Sequence, residues 1–363
     1  MPVSRPLSLL AMTTAFALGS AGPLHAQTDE PTPRLDAGVV VFYDYTLTSP
    51  AADASGSATR ARAFDVTRTY LNLTGQAGSF VRFRVTPDIA GWTSTGSRPD
   101  AGLTFRLKYA YAHFDLGTVT GRWTGTWVRA GIQPTPFIGD VDDVYRYRFQ
   151  GTTFAERDGA LISADAGLSA RTDLPGSYGD VHIGIYNGEG YAHREVDGQK
   201  AVLLRTTIRP LPDVRAWLHG LRVTTYVHRD HVKAGAERHR AIGALWFEHA
   251  RLNAGLEYLT RDDRAEPDTP RVTSRGWSVF VTPFLETKGD GLELLFRYDT
   301  FTSDTSTPTG HRRAIAGAAY WMPHASGRGT AALMLDIELL RQRLATTDRP
   351  NERRVTVHGL IAF

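Results

Sequence analysis

The sequence predicts an all-β fold: a transmembrane antiparallel β-barrel of about 16 strands, with a long third extracellular loop folded into the pore. Three observations lead to this prediction. Apolar and polar residues alternate over segments of about ten residues along most of the chain. The polar faces of these segments carry many charges, and one central stretch lacks the alternation.

The segment at residues 103–111 shows the alternation most clearly. Leu103, Phe105, Leu107, Tyr109 and Tyr111 alternate with Thr104, Arg106 and Lys108. The same pattern predicts strands near residues 35–47, 65–75, 80–89, 103–111, 126–133, 161–170, 180–187, 201–209, 216–227, 240–248, 251–261, 274–285, 292–301, 313–322, 330–342 and 353–363. No segment has the apolar period of a helix. An even number of strands is typical of single-chain bacterial barrels.

The connections between these segments alternate in length. Several after odd strands are long and polar, at residues 49–61, 134–158, 187–199 and 261–271. Several after even strands are short, at residues 76–79, 210–213 and 287–291. Long external loops and short internal turns are expected when both ends of a barrel lie in the periplasm.

The distribution of charge indicates which face meets lipid. One face of each predicted strand is apolar, and the other carries Arg, Asp, Glu, Asn or Thr on most strands. Burying so many charges in a dry core would cost several kcal/mol per unpaired ion. The charged face is therefore expected to line water and the apolar face to contact lipid. A barrel of this size encloses an aqueous channel.

The N-terminus is interpreted as an export signal. Arg5 precedes an apolar run at residues 7–19, which is too short to span a bilayer as a helix, and Leu24-His25-Ala26 forms an acceptable cleavage site. We expect residues 1–26 to be a signal peptide, residues 27–34 a periplasmic lead-in and residues 35–363 the barrel.

The chain has no cysteine, so no disulfide stabilises it, and its net charge of +3 gives no reason to expect nucleic acid as a partner.

The central stretch at residues 131–159 is the candidate constriction loop, with its core at about 134–158. Its chemistry-bearing residues are Asp140, Asp142, Asp143, Tyr145, Arg146, Tyr147, Arg148 and Arg157, together with Glu156 and Asp158. The arginines between aromatic residues suggest either a platform for sugars or anions, or packing of the loop against the barrel wall. We favour packing.

Charged residues predicted to line the pore fall into two groups. The basic group consists of Arg82, Arg84, Arg106, Lys108, Arg129, Arg205 and Arg222. The acidic group consists of Glu257, Glu293, Asp299, Asp336 and Glu338. In a closed ring the two groups could lie opposite each other and select ions by charge. The alternative is that they pair locally and solvate the wall.

Metal and catalytic sites are not expected, and neither is a cofactor. Asp140, Asp142 and Asp143 lack the ligand spacing of a calcium-binding loop. The histidines in the run from His228 to His231 are explained by an exposed loop tip. No Gly-x-Ser-x-Gly motif or recognisable triad occurs.

The final strand ends at Phe363, an ending that resembles the signal by which outer-membrane barrels are inserted.

Several short motifs occur in an order that resembles the phosphate-selective porin O and P family and its porin-like relatives, over most of residues 35–363. They are Arg68-Thr69-Tyr70, Phe83-Arg84, residues 131–136, Ala155-Glu156-Arg157, residues 186–191, Arg205, Pro210 and Arg297-Tyr298-Asp299. The resemblance implies a sixteen-stranded trimeric porin of the bacterial outer membrane. A lysine-rich constriction accompanies phosphate selectivity in that family, whereas the central loop here has five acids and no lysine.

We therefore expect a non-enzymatic porin for passive diffusion of small hydrophilic solutes, with a mild preference for anions. The alternatives are a specific channel for phosphate or another oxyanion, and a plugged barrel that acts as an adhesin or enzyme scaffold. The expected partners are outer-membrane lipid, small hydrophilic or anionic solutes and two further copies of the chain in a homotrimer.

Overall fold

The computed structural model describes residues 34–49, 61–90, 103–121, 125–195, 198–212, 217–323, 329–345 and 351–363. These parts of the chain contain sixteen antiparallel strands that form a closed barrel. Each strand pairs with its neighbours in the sequence, and β1 closes the ring by pairing with β16. The predicted barrel is confirmed. The expected signal peptide lies outside the described residues.

The strands are β1 (Arg34–Ser49), β2 (Ala61–Ala77), β3 (Val81–Ala90), β4 (Thr104–Asp115), β5 (Trp127–Pro134), β6 (Ala164–Asp173), β7 (Gly179–Tyr186), β8 (Ala201–Ile208), β9 (Leu221–Lys233), β10 (Ala236–His249), β11 (Leu252–Asp263), β12 (Val272–Pro283), β13 (Gly291–Asp304), β14 (Thr309–Trp321), β15 (Thr330–Arg343) and β16 (Glu352–Ala362). The helices are α1 (Leu116–Thr120), α2 (Ile138–Tyr145) and α3 (Phe154–Arg157), with 3₁₀ turns at Pro175–Ser177 and Trp217–Gly220. No helix in the described ranges is both long enough and apolar enough to cross a bilayer.

The barrel has an apolar exterior and a polar interior. On β15, Leu333, Leu335 and Ile337 are 42–54% exposed, whereas Asp336 and Glu338, at alternate positions, are 2% and 5% exposed. Successive side chains of a strand point to opposite faces, so the acids point inward and the leucines outward. The apolar outward face and the charged inward face expected from the sequence are therefore present.

A β-bulge in β4 changes the face that two tyrosines occupy. Pro87 of β3 pairs with Leu107, but the adjacent Thr86 pairs with Tyr109, which leaves Lys108 as an extra residue. Beyond the bulge the alternation shifts by one position, and Tyr109 and Tyr111 share a face with inward residues of β3. The sequence-based placement of both tyrosines on the lipid face is therefore wrong.

The prediction of an exposed loop tip at the histidine pair is also wrong. β9 runs to Lys233, and residues 228–231 pair with β10. Asp230 is fully buried there, with Arg238 as its ion-pair partner and Nε2 of His228 3.6 Å from its carboxylate. The β9–β10 hairpin is longer than predicted because a tight turn at Gly235, where φ is +81°, joins the two strands directly.

Candidate functional site

The connection between β5 and β6, residues 135–163, packs against inward-facing side chains of the barrel. We call it the β5–β6 segment. It begins with α2, in which Ile138, Val141, Val144 and Tyr145 are buried on one side. These buried positions follow the spacing of a helix. The expectation that no segment has the apolar period of a helix is therefore wrong. A stretch of eight residues is too short for that period to stand out in the sequence.

Aromatic rings attach α2 to the wall formed by β9, β10 and β12. The ring of Phe137 lies 5.4 Å from that of Tyr226 and 6.2 Å from that of Trp246, measured between centroids. The Tyr145 ring lies 5.2 Å from Phe280. The main-chain carbonyl of Val144 accepts a 2.8 Å hydrogen bond from Asn253. The aromatic residues of the segment thus contribute to packing, as the sequence favoured.

Phe137→Ala is expected to loosen this attachment. Phe137 is fully buried, and truncating a buried phenylalanine costs about 3–5 kcal/mol. Trypsin should then cleave the folded barrel within the segment, at Arg146, Arg148 or Arg157, where the wild type resists. Val119→Ala, at an exposed position, is the control. Equal resistance of Phe137→Ala and wild type would contradict the packing role.

The acids of the predicted pore-lining group lie beneath the β5–β6 segment. Glu293 accepts hydrogen bonds from Arg146 at 2.9 and 3.0 Å and from the Tyr147 hydroxyl at 2.6 Å. Glu338 accepts from Arg157 at 2.6 Å, and Asp336 accepts from Gln150 at 2.8 Å. These contacts join residues more than 140 positions apart in the sequence.

The remaining two acids of that group are buried beside arginines or rings of the interior. Asp299 forms ion pairs with Arg297 at 2.8 Å and with Arg313 at 3.3 Å. Glu257 is 3% exposed, and its Oε1 has no hydrogen-bond partner among the described residues. Three of the five acids therefore bond to the segment, and Asp299 and Glu257 are buried among other interior side chains.

Two predicted pore-lining arginines also hold the segment. Arg205 lies 2.7 Å from Asp140 of α2 and also contacts Asp180. Arg222 pairs with Glu248 at 2.6 Å and lies 3.8 Å from Asp140. Asp143, three positions further along α2, is exposed. The charges of β8 and β9 thus position α2.

The other predicted basic residues form a wall on β3, β4 and β5. Arg84 donates to Asn72 at 2.7 Å and to Thr86 at 3.0 Å. Arg129 donates to His113 at 3.0 Å, and its guanidinium lies 4.0 Å from the centre of the Trp127 ring. Lys108 donates to the Tyr70 hydroxyl at 3.2 Å. In the described ranges, no carboxylate lies within 4.0 Å of the side-chain nitrogens of these three cations.

Other cations of this wall have acidic partners. Arg82 lies 3.0 Å from Asp115. Arg106 lies 3.7 Å from Asp88, which also pairs with Arg68 and accepts a 3.0 Å hydrogen bond from Tyr191. The sequence reasoning did not assign Arg68, Asp88 or Tyr191 to the site. Asp88 lies on the polar face of β3 and alternates with apolar residues of the opposite face. This alternation could have identified it as a residue of the site.

Two cavities lie along this basic wall at different heights. One, of about 340 Å³, is lined by Arg68, Tyr70, Arg106 and Arg148, and also by Asp44 and Asp65. The other, of about 350 Å³, is lined by Arg82, Arg84, Tyr111, His113 and Arg129, and also by the Arg34–Asp36 ion pair. Between them on β3 and β4 lie Thr86 and Lys108, which are 0% and 3% exposed. We call this height the narrow level.

Arg148 is the residue that the β5–β6 segment presents at the narrow level. Its Nη1 and Nη2 donate to Glu156 at 2.6 and 2.9 Å, and Nη1 also donates to Asp142 at 2.9 Å. Burial raises the pKa of Asp142 to about 6. Burial alone would also raise the pKa of Glu156, but Arg148 outweighs it and lowers this pKa below its ordinary value. Lys108 acts electrostatically on both carboxylates.

The described residues contain no group of three or more His, Asp or Glu side chains arranged to hold a metal ion. Side-chain charges, hydroxyls and aromatic rings line the two cavities. Guanidinium and ammonium groups without carboxylate partners attract anions, and aromatic faces beside them provide apolar contact.

Comparison with known proteins gives matches in structure alone. The sequence matches no protein-family model and no curated protein. An anion-selective porin from Comamonas acidovorans superimposes with a TM-score of 0.64 at 12% identity, over 91% of this chain and 100% of that chain. The outer membrane channel DcaP of Acinetobacter baumannii does so with a TM-score of 0.59 at 11% identity, over 91% and 97%.

Outer-membrane expressed OmpT of Vibrio cholerae has a TM-score of 0.57 at 11% identity, over 93% of this chain and 99% of that one. At these identities the likeness concerns the fold. The chain has the closed 16-strand antiparallel barrel fold of outer-membrane porins.

Proposed function

We propose that the protein is a porin of the bacterial outer membrane through which small hydrophilic solutes diffuse passively, with a mild preference for anions. One observation carries the preference. The wall on β3, β4 and β5 holds Arg84, Lys108 and Arg129 with no carboxylate within 4.0 Å among the described residues, whereas three of the predicted pore-lining acids, Glu293, Asp336 and Glu338, accept hydrogen bonds from the β5–β6 segment. A charged pore lining selects by charge, and here the excess is positive.

The apolar exterior supports the membrane location. Leu333, Leu335 and Ile337 on β15 are among many large apolar side chains that the barrel exposes. Exposed apolar area of this extent is unfavourable in water and favourable in lipid. In this proposal residues 1–26 direct export and are removed, residues 27–34 lead into the barrel, and outer-membrane lipid surrounds residues 35–363.

The β5–β6 segment supports a size limit for solutes. It packs against β8 to β15 and leaves space along β1 to β5, where the two cavities lie. In this proposal the segment is the third extracellular loop and constricts the pore. Solutes would pass from one cavity to the other at the narrow level, between Lys108 and Arg148.

A specific oxyanion channel is the second candidate, because Arg84 and Arg129 provide planar donors in the same cavity. The name of the Comamonas acidovorans porin describes anion selectivity, which agrees with either candidate. The absence of lysine from residues 134–158 favours the general porin over a phosphate channel, given the lysine-rich constriction of the family that the sequence resembles.

Single-channel current in a planar bilayer under a salt gradient tests the proposal, with phosphate titrated in afterwards. We expect open steps whose reversal potential shows a mild anion preference and which phosphate does not block. Strong block at low phosphate would favour the specific channel. Folded protein that conducts no current would overturn the proposal and favour a plugged adhesin or enzyme scaffold.

A homotrimer is proposed for the assembly. OmpT of Vibrio cholerae has been described in a trimer form, with a TM-score of 0.53 to this chain. The mass of the protein in mild detergent, measured by light scattering with the detergent contribution subtracted, is expected to be three times that of one chain. A monomer mass at all protein concentrations would contradict the assembly without affecting the channel proposal.

A further inference from the structure

The outer face of the barrel carries two arginines directly opposite each other on β14 and β15. Arg312 pairs in register with Arg341, and both are exposed. Each adjoins a buried residue of its own strand, Arg313 or Leu340, which points inward. Because successive side chains of a strand point to opposite faces, Arg312 and Arg341 point away from the interior. They lie near the β13–β14 and β15–β16 connections, which follow odd strands as the β5–β6 segment does and so lie at the same end of the barrel.

No acid compensates this pair of arginines within the ranges that the structure describes. No carboxylate there lies within 4.0 Å of the side-chain nitrogens of Arg312 or Arg341. Like charges directly opposite each other on one face of a sheet are destabilising, because their Cβ atoms lie only about 5 Å apart. An anion that contacts both guanidinium groups would remove this repulsion.

A cavity of about 520 Å³ adjoins the two arginines, and both line it. Its lining also includes Thr300 and Thr302 of β13 and Gly310 of β14. Thr300 pairs with Arg312, and Thr302 pairs with Gly310, so both hydroxyls flank the arginines on the outer face. Gly310 contributes no side chain to this face, which leaves room beside Thr302. The cavity therefore combines two guanidinium groups with hydroxyl donors.

The outer face becomes apolar next to the arginines, towards the middle of the barrel. Leu339 and Ile337, two and four residues before Arg341, are 43% and 50% exposed. Two residues of a strand span about 7 Å. On the same face the rings of Trp277 and Tyr298 lie 5.4 Å apart, and outward aromatic residues of membrane barrels lie at the boundary between lipid and water. In the proposed membrane location, the arginine pair thus lies at the level of the lipid headgroups.

We propose that the cavity at Arg312 and Arg341 binds the phosphate group of a membrane lipid, with the acyl chains of this lipid against Leu339 and Ile337. The planar donor forks of two arginines match the oxygens of a phosphate, and the neighbouring threonine hydroxyls donate to the same group. The proposal rests on the proposed outer-membrane location. It does not depend on whether the barrel conducts ions, since both arginines point away from the pore.

Native mass spectrometry of the folded protein in a neutral detergent tests the site with dioleoyl phosphatidic acid, dioleoylglycerol and inorganic phosphate. We expect phosphatidic acid to bind at least about tenfold more tightly than dioleoylglycerol, which has the same chains without the phosphate. Inorganic phosphate at the same concentration should not displace the lipid, because it lacks the apolar contacts. Equal binding of the two lipids would overturn the proposal, and so would displacement by inorganic phosphate, which would indicate a site for the anion alone.

The double variant Arg312→Gln/Arg341→Gln locates the site. It should bind phosphatidic acid at least about tenfold more weakly than the wild type and dioleoylglycerol equally well. Arg209→Gln is the matched control, because Arg209 is exposed just after β8, at the opposite end of the barrel. Binding of phosphatidic acid by the double variant at the wild-type level would overturn the assignment, since the lipid would then bind elsewhere.

The melting midpoint of the wild type decides the question if the double variant does not fold. Phosphatidic acid should raise this midpoint and dioleoylglycerol should not, because a ligand that binds the folded state stabilises it and the phosphate removes the repulsion between the arginines. Equal midpoints with the two lipids would overturn the proposal. A protein that retains phosphatidic acid but conducts no current would support the lipid site and contradict the channel, so the two failures are distinguishable.

Discussion

Lys108→Glu is expected to reverse the ion preference of the channel from anions to cations. Lys108 is 3% exposed at the narrow level, and its ammonium lies 4.7 Å from the centre of the Tyr70 ring and 5.4 Å from that of Tyr109. The substitution changes the local charge by two units beside Asp142 and Glu156. A unit charge about 4 Å from an ion acts on it with about 1–4 kcal/mol in a partly aqueous site.

The expected size of this effect follows from that energy. About 1.4 kcal/mol corresponds to a tenfold change in an equilibrium ratio, so the permeability ratio should change at least about tenfold. The reversal potential under a potassium chloride gradient measures it. Lys108→Gln should give an intermediate value because it removes one charge. Lys200→Glu is the control, since Lys200 is exposed in the β7–β8 connection. A wild-type reversal potential for Lys108→Glu would show that ions pass elsewhere.

Glu293→Ala is expected to widen the pore. Glu293 is fully buried and accepts hydrogen bonds from Arg146, from Tyr147 and from the main-chain N–H of Gly289. Its removal leaves the Arg146 guanidinium, 14% exposed, without its carboxylate. Breaking a buried ion pair in this way costs about 3–5 kcal/mol. The middle of the β5–β6 segment should therefore detach from β13.

Single-channel conductance is the measurement for this second variant. We expect larger and noisier steps than in the wild type, together with new tryptic cleavage after Arg146 or Arg148. Glu286→Ala, at an exposed position in the connection that precedes β13, should change neither property. The double variant Glu293→Ala/Glu338→Ala should have a larger effect, because Glu338 holds Arg157 at the other end of the segment. Wild-type conductance in the double variant would contradict the constricting role.

The strands were predictable because their signal is local. A residue's face in a strand depends on its position among its immediate neighbours, and Leu333 to Leu339 alternate with Asp336 and Glu338 without interruption. The central stretch was identified for the same reason, since it lacks this alternation. Predictions were wrong where one extra residue changed the register, as at Lys108, or where a hairpin continued past an expected turn, as at Asp230.

The sequence by itself determined the closed barrel, its apolar exterior, its charged interior and the segment that packs inside. It did not determine which interior charges remain uncovered. That depends on pairs such as Arg146 with Glu293 and Arg157 with Glu338, which no local pattern encodes. The tertiary structure placed Arg146 and Arg157 of the segment on Glu293 and Glu338, and left Lys108, Arg84 and Arg129 with no carboxylate within 4.0 Å among the described residues, because only the closed ring brings residues so distant in the sequence together.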